Sequence, residues 1–141
     1  MPFWPTKNAR HGADENGRTP LWHFAEHGDL VGVLTALSAG ADPNQADDAG
    51  YTPLHAAVHH GHLEVIKHLI SVSNNVNVAD KHGNGPLWTA VSITTKERKI
   101  EIVELLLAAG SDPDHQNIYG KSPRQVVTGT GPEFEKLFNR S

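Results

Sequence analysis

The segment Ala49-Gly50-Tyr51-Thr52-Pro53-Leu54 decides the fold of this chain of 141 residues. It recurs upstream as Asn16-Gly17-Arg18-Thr19-Pro20-Leu21 and downstream as His82-Gly83-Asn84-Gly85-Pro86-Leu87, so that three glycines follow one another at intervals of 33 residues. A fourth, weaker copy, Tyr119-Gly120-Lys121-Ser122-Pro123-Arg124, comes 37 residues after the third. A constant period in this range predicts stacked units, each of which buries its apolar face against its neighbours.

The chemistry of the best-preserved copy predicts its local structure. Gly50 permits the positive φ of a turn, and Thr52 is suited to cap the first helix. Pro53 suits the first helical position, where its missing N–H has no partner to lose. This helix is expected to run to about residue 60 and to end at Gly61, and a return helix is expected at 63–71 with its apolar residues on one face. The same pattern predicts helices near 20–27, 30–39, 86–93, 99–109 and 133–138.

These motifs resemble the ankyrin repeat. The signature of that family is matched by Thr52-Pro53-Leu54-His55-Ala56-Ala57, and its closing motif by Gly40-Ala41-Asp42-Pro43-Asn44 and Gly110-Ser111-Asp112-Pro113-Asp114. The resemblance implies an all-α ankyrin-repeat solenoid of helix-turn-helix units with short β-turn fingers. It covers the chain from about Ala13 onward.

The repeats divide the chain into five parts within a single domain, 1–141. The expected boundaries are an N-terminal cap segment 1–13, repeats at 14–46, 47–79 and 80–116, and a degenerate C-terminal cap repeat 117–141. The third repeat is four residues longer than the second, which places an inserted loop at 94–98 between its two helices. Two interpretations of this loop remain open: a tolerated surface loop, which costs little, or a contribution to binding.

Composition excludes several classes of partner. The formal net charge is −4, and the sequence has no block of lysine and arginine of the kind that neutralises phosphates, so nucleic acid is not expected. No apolar run approaches the length of a membrane span, and no basic-plus-apolar leader is evident. The chain has no cysteine, which excludes disulfides and thiolate chemistry. We expect a cytoplasmic protein that is monomeric on its own.

Catalytic and metal chemistry find little support in the sequence. The densest of the ten histidines are His55, His59, His60 and His62. His55 and His59 are one helical turn apart and could share a metal, but no third ligand lies at convincing spacing. The ankyrin pattern places histidines at 55 and 62 for structural reasons. Nucleophile elbows, Walker motifs and dinucleotide fingerprints are missing, so we expect no enzyme, no cofactor and no metal site.

Two tryptophans stand where the second copy has His55. Trp22 and Trp88 would bury large apolar areas and anchor the stack, or alternatively serve as partly exposed anchors for a partner. Packing is the interpretation we favour.

The candidate binding surface consists of residues that the repeat leaves without a structural duty. Tyr51 and Tyr119 are its expected anchors, since tyrosine combines apolar area with a polar tip. Ile93 and Ile118 would be unusual on a bare surface. The predicted protein-binding residues are Glu15, Asn16, Arg18, Glu26, His27, Asp48, Ala49, Tyr51, His59, His60, Lys81, His82, Asn84, Ser92, Ile93, Ile118, Tyr119 and Lys121.

The function predicted from these residues is non-catalytic binding of another protein through the fingers and the concave face. A narrower alternative comes from resemblance to short bacterial-type ankyrin proteins, some of which neutralise a cognate toxin as immunity partners. Such a protein would cover the toxin's site sterically, and the acidic first half of the chain would suit a basic nuclease. A scaffold that regulates a cellular enzyme is a third reading of the same surface.

Overall fold

The structure is a computed structural model that describes residues 12–73, 75–92 and 98–139. Within these ranges the chain forms eight α-helices. Seven of them begin and end within one or two residues of the predicted bounds, and the short helix Pro123–Val127 was not predicted. They are α1 (Pro20–His27), α2 (Leu30–Ser38), α3 (Pro53–His59), α4 (Leu63–Val72), α5 (Pro86–Ser92), α6 (Lys99–Ala108), α7 (Pro123–Val127) and α8 (Pro132–Phe138).

The repeated Thr-Pro or Ser-Pro dipeptide explains where three of these helices begin. The hydroxyl of Thr19 accepts a hydrogen bond from the backbone N–H of Trp22 at the start of α1. Thr52 and Ser122 cap α3 and α7 in the same way, and there the cap is reciprocal, because His55 and Gln125 accept the backbone N–H of the capping residue. A proline at the first helical position follows each cap, where no N–H is needed.

The helices stack in two rows. The inner helices α1, α3, α5 and α7 contact one another in sequence, and the outer helices α2, α4, α6 and α8 do the same behind them. Leu21, Leu54 and Leu87, the leucines of the repeated segment, are all buried between neighbouring units. The apolar interior is therefore shared along the stack, as predicted from the period.

The C-terminal unit ends the stack with a polar side chain where the other units have leucine. Arg124 forms an ion pair with Asp114 (Nε to Oδ1, 2.7 Å) and donates a hydrogen bond to the carbonyl of Phe138. Gly129 and Gly131 have positive φ and separate α7 from α8. Leu137 and Phe138 of α8 are buried and supply the apolar cover at this end.

Several predictions lie outside the described residues. These are the N-terminal cap segment up to residue 11, Ile93, and residues 94–97 of the inserted loop. Arg98, the last residue of that loop, is described, and its guanidinium donates to the carbonyl of Gly61 at 3.1 Å. Among the described helices, none is long and apolar enough to cross a membrane.

Candidate protein-binding surface

Four fingers with the same backbone geometry project from the stack. We define finger 1 as residues 14–18, finger 2 as 47–51, finger 3 as 80–84 and finger 4 as 117–121. In each, the N–H of the first residue donates to the carbonyl of the fifth, at 2.8–3.0 Å. The Oδ1 atom of the first side chain also accepts two backbone N–H groups, as Asp47 does from Ala49 and Tyr51. These bonds fix the shape of each finger before any partner arrives.

Backbone hydrogen bonds also join each finger to the next. Asp48 N–H donates to the carbonyl of Asn16 (2.9 Å), and Lys81 N–H donates to that of Ala49 (3.0 Å). Ile118 N–H completes the row by donating to the carbonyl of His82 (3.0 Å). Because packed helices lie about 8–10 Å apart, the four fingers form a continuous edge about 25–30 Å long.

Most of the predicted binding residues are exposed on this edge or at the ends of the inner helices. Ile118 and Tyr119, at the tip of finger 4, expose 65% and 67% of their surface and are among the most exposed large apolar side chains of the described chain. Glu26, Ala49 and His82 are half-buried. The exposed members are Glu15, Asn16, His27, Asp48, His59, His60, Lys81, Ser92, Ile118, Tyr119 and Lys121.

Two predicted binding residues of fingers 1 and 2 have structural contacts. Arg18 pairs with Asp47 of the next finger (Nε to Oδ2, 3.3 Å) and lies over the ring of Trp22 at 4.4 Å. Tyr51 stacks on His55 with ring centroids 4.9 Å apart, and burial raises the pKa of its phenol. The premise that these positions have no structural duty was wrong for both.

Asn84 is a third case, because it joins the third repeat to the second repeat and to the C-terminal cap repeat. Its carbonyl accepts the Nε2–H of His55 at 3.0 Å, and its side-chain Oδ1 accepts the amide of Asn117 at 3.0 Å. The backbone N–H of Thr52 donates to the other ring nitrogen of His55, which fixes a neutral imidazole. Burial lowers the pKa of His55 and agrees with this assignment. Replacing the Asn84 side chain would remove its bond to Asn117 and so disturb the stack as well as the surface.

Two histidines between α3 and α4 lie beside Glu26 of α1. His60 Nε2 lies 3.8 Å from the Glu26 carboxylate, and His62 Nε2 lies 2.8 Å from the Glu26 carbonyl. The rings of His59 and His60 meet edge to face at 4.9 Å. Burial, followed by the neighbouring His59, lowers the pKa of His60. Over the described ranges, no three histidine or carboxylate side chains are arranged to hold a metal ion.

The two tryptophans differ in burial. Trp22 is 5% exposed and its indole N–H donates to the carbonyl of Tyr51 at 3.1 Å, so it packs the stack as favoured from the sequence. Trp88 is half-buried and borders a small cleft with Asn77, Asp112 and His115. Packing therefore accounts for Trp22 more completely than for Trp88.

Sequence reasoning missed two surface features. On the outer helix α2, Val31 is 74% exposed and Leu34 39% exposed. The corresponding positions in α4 are Glu64 and Lys67, a contrast that a comparison of the repeats could have revealed. The second feature is the stacking of His82 on Tyr119, with centroids 6.3 Å apart. That contact depends on how fingers 3 and 4 meet in space.

Comparison with known families agrees with this architecture. The chain matches the family model for ankyrin repeats, in three copies, over residues 5–80 and 21–117. It therefore belongs to the ankyrin repeat family, whose members are typically non-catalytic modules that bind other proteins. No curated protein matches the chain.

Proposed function

We propose that this protein is a non-catalytic binding module that recognises a partner protein through its row of fingers and the adjoining inner helices. The observation that carries the proposal is the tip of finger 4, where Ile118 and Tyr119 are about two-thirds exposed. Both are held on a backbone that Asn117 fixes by accepting the N–H groups of Tyr119 and Lys121. A preformed, exposed apolar tip is the type of feature that becomes an interface hot spot, because little ordering entropy is lost on binding.

Rigid fingers support binding rather than chemistry. The described residues combine turn carboxylates that are occupied by backbone N–H groups with histidines that bond to carbonyls. Such groups hold the shape of the fingers. This agrees with the family's typical role as a binding module.

The test is a pair of matched double variants in the purified complex. A variant with Ile118→Ser and Tyr119→Ser removes the exposed tip, and one with Val31→Ser and Leu34→Ser removes exposed apolar area from the outer helix α2. We expect the first to weaken a stoichiometric complex at least 30-fold, equivalent to the roughly 2 kcal/mol of one hot spot. The second should leave the affinity unchanged. Far-UV circular dichroism serves as the folding control, and equal affinities of both variants would contradict the proposal.

A second candidate function is occlusion of a toxin by an immunity protein. The acidic character of fingers 1 and 2 supports it. Arg18 forms an ion pair with Asp47, and the negative charges of Glu15 and Asp48 remain in addition to that pair. A basic enzyme would be steered toward that end of the row. Co-expression with the product of a neighbouring toxin gene should restore growth, and a toxic product that kills regardless would eliminate this candidate. A regulatory scaffold for a cellular enzyme would use the same surface.

A further inference from the structure

The four fingers carry different charges at equivalent positions. The second residue of each finger is Glu15, Asp48, Lys81 and Ile118 in turn, so that it changes from acidic to basic to apolar along the row. The first residue is Asp14, Asp47 and Asp80 in fingers 1 to 3, but Asn117 in finger 4. Asparagine keeps the two turn hydrogen bonds without the negative charge. Finger 4 therefore carries no carboxylate.

The apolar tip of finger 4 is bordered by two exposed lysines. Lys81 occupies the second position of finger 3, whose backbone accepts the N–H of Ile118, and Lys121 is the last residue of finger 4. Within the part of the chain that the structure describes, neither lysine forms an ion pair. Asp80, the first residue of finger 3, is buried and has its Oδ1 atom occupied by the N–H groups of His82 and Asn84. The positive charges at this end are therefore available to a partner.

Ile118, Tyr119, Lys81 and Lys121 form a surface that we call the patch. Contacts between fingers 3 and 4 hold it in place. His82 stacks on the ring of Tyr119 at an angle of 24° between the rings, and the backbone bond from Ile118 to His82 holds the two fingers together. On the inner helix behind it, Arg124 is bonded to Asp114 through both Nε and Nη2 and adds no free charge. An apolar tip between two free cations complements a segment with the opposite pattern.

We propose that fingers 3 and 4 bind a partner segment in which a large apolar side chain is flanked by carboxylates. The apolar side chain would pack on Ile118 and Tyr119, and the carboxylates would face Lys81 and Lys121. This inference rests on the proposed function and adds to it the chemistry of the segment and the end of the row to which it binds.

A peptide titration tests the charge pattern. The probes are the capped hexapeptide Asp-Glu-Leu-Phe-Glu-Asp, a neutral counterpart with Asn and Gln, and a basic counterpart with Lys, each followed by amide NMR shifts at 50 mM salt. We expect shifts at residues 81–82 and 118–121, and a dissociation constant for the acidic peptide about fivefold below that of the neutral one, as two exposed ion pairs would provide. Raising the salt to 500 mM should remove most of that preference.

Charge reversal supplies the matched controls. Lys81→Glu combined with Lys121→Glu should make the basic peptide the tighter ligand, whereas Lys67→Glu on α4 should change nothing. If the neutral or the basic peptide binds fingers 3 and 4 of the wild type as tightly as the acidic peptide does, the inference fails. The proposal that the fingers bind a partner would then still stand. If no peptide shifts these fingers, the inference also fails, and the double-variant experiment on the complex decides the proposed function separately. A single-stranded oligonucleotide that binds the patch more tightly than the acidic peptide would also overturn the inference.

Discussion

Replacing single finger glycines with alanine should destabilise the protein in an order set by the distance between neighbouring fingers. Gly50, Gly83 and Gly120 all have φ between +71° and +81°, so each alanine has a similar backbone cost of about 1–2 kcal/mol. A Cβ at Gly50 would lie 2.9 Å from the Cα of Asp80, and one at Gly83 would lie 3.1 Å from the Cα of Asn117. At Gly120 it would meet no atom within 4 Å.

The difference between these variants measures the contact between fingers. Because the obstructing atoms are backbone, relief requires the fingers to separate, and overpacking of this kind adds about 1–3 kcal/mol. We expect the loss of unfolding free energy to be largest for Gly50→Ala, smaller for Gly83→Ala and smallest for Gly120→Ala, which should lose only the backbone cost of about 1–2 kcal/mol. Urea unfolding followed by far-UV circular dichroism measures all three. Equal losses at positions 50 and 120 would refute the close row of fingers.

Three further changes test other parts of the structure. Burial lowers the pKa of His55, so on acidification the unfolded chain takes up a proton before the folded chain does. At pH values below about 6.5 the unfolding free energy should therefore decrease, by at most about 1.4 kcal/mol per pH unit. His55→Gln should cost stability at pH 7.5 and flatten this dependence in urea titrations down to pH 5.0; an unchanged slope would exclude His55 as the source. The hydroxyl of Ser111 is buried without a partner among the described residues, and Ala41 holds the same place in the first repeat, so Ser111→Ala should raise the unfolding free energy by up to about 1 kcal/mol. A loss of that size would reveal a hydrogen bond to bound water. The double variant Val31→Glu, Leu34→Lys copies the pair found in α4. It should change the unfolding free energy, measured by thermal denaturation, by no more than about 0.5 kcal/mol. A loss above about 1 kcal/mol would mean that both side chains are packed.

The repeat pattern predicted the helices because its information is local. The cap bond of Thr52 and the proline at position 53 determine where α3 begins, and both act within one helical turn. Gly61, with φ of +70°, lies just after the end of α3. The leucine of each copy is buried because every unit meets the next in the same way. The stacked architecture could therefore be predicted from spacing alone.

The surface could be predicted only in part, because its contacts join residues far apart in the sequence. Ile118 was expected to be exposed from its register, and it is. The hydrogen bonds of Asn84 with His55 and Asn117 join residues 29 and 33 positions apart, and they depend on how neighbouring repeats pack. The ring contact between His82 and Tyr119 has the same origin. A pattern within one repeat cannot show which side chains of the next repeat it will meet.

Hydrogen exchange of the purified complex with its partner tests most directly the claim that the fingers are the recognition surface. Amides of residues 80–84 and 117–121 should become more protected on binding, while those of the outer helix α4 should exchange as in the free protein. Protection confined to α2 and α4, with finger amides unchanged, would contradict it.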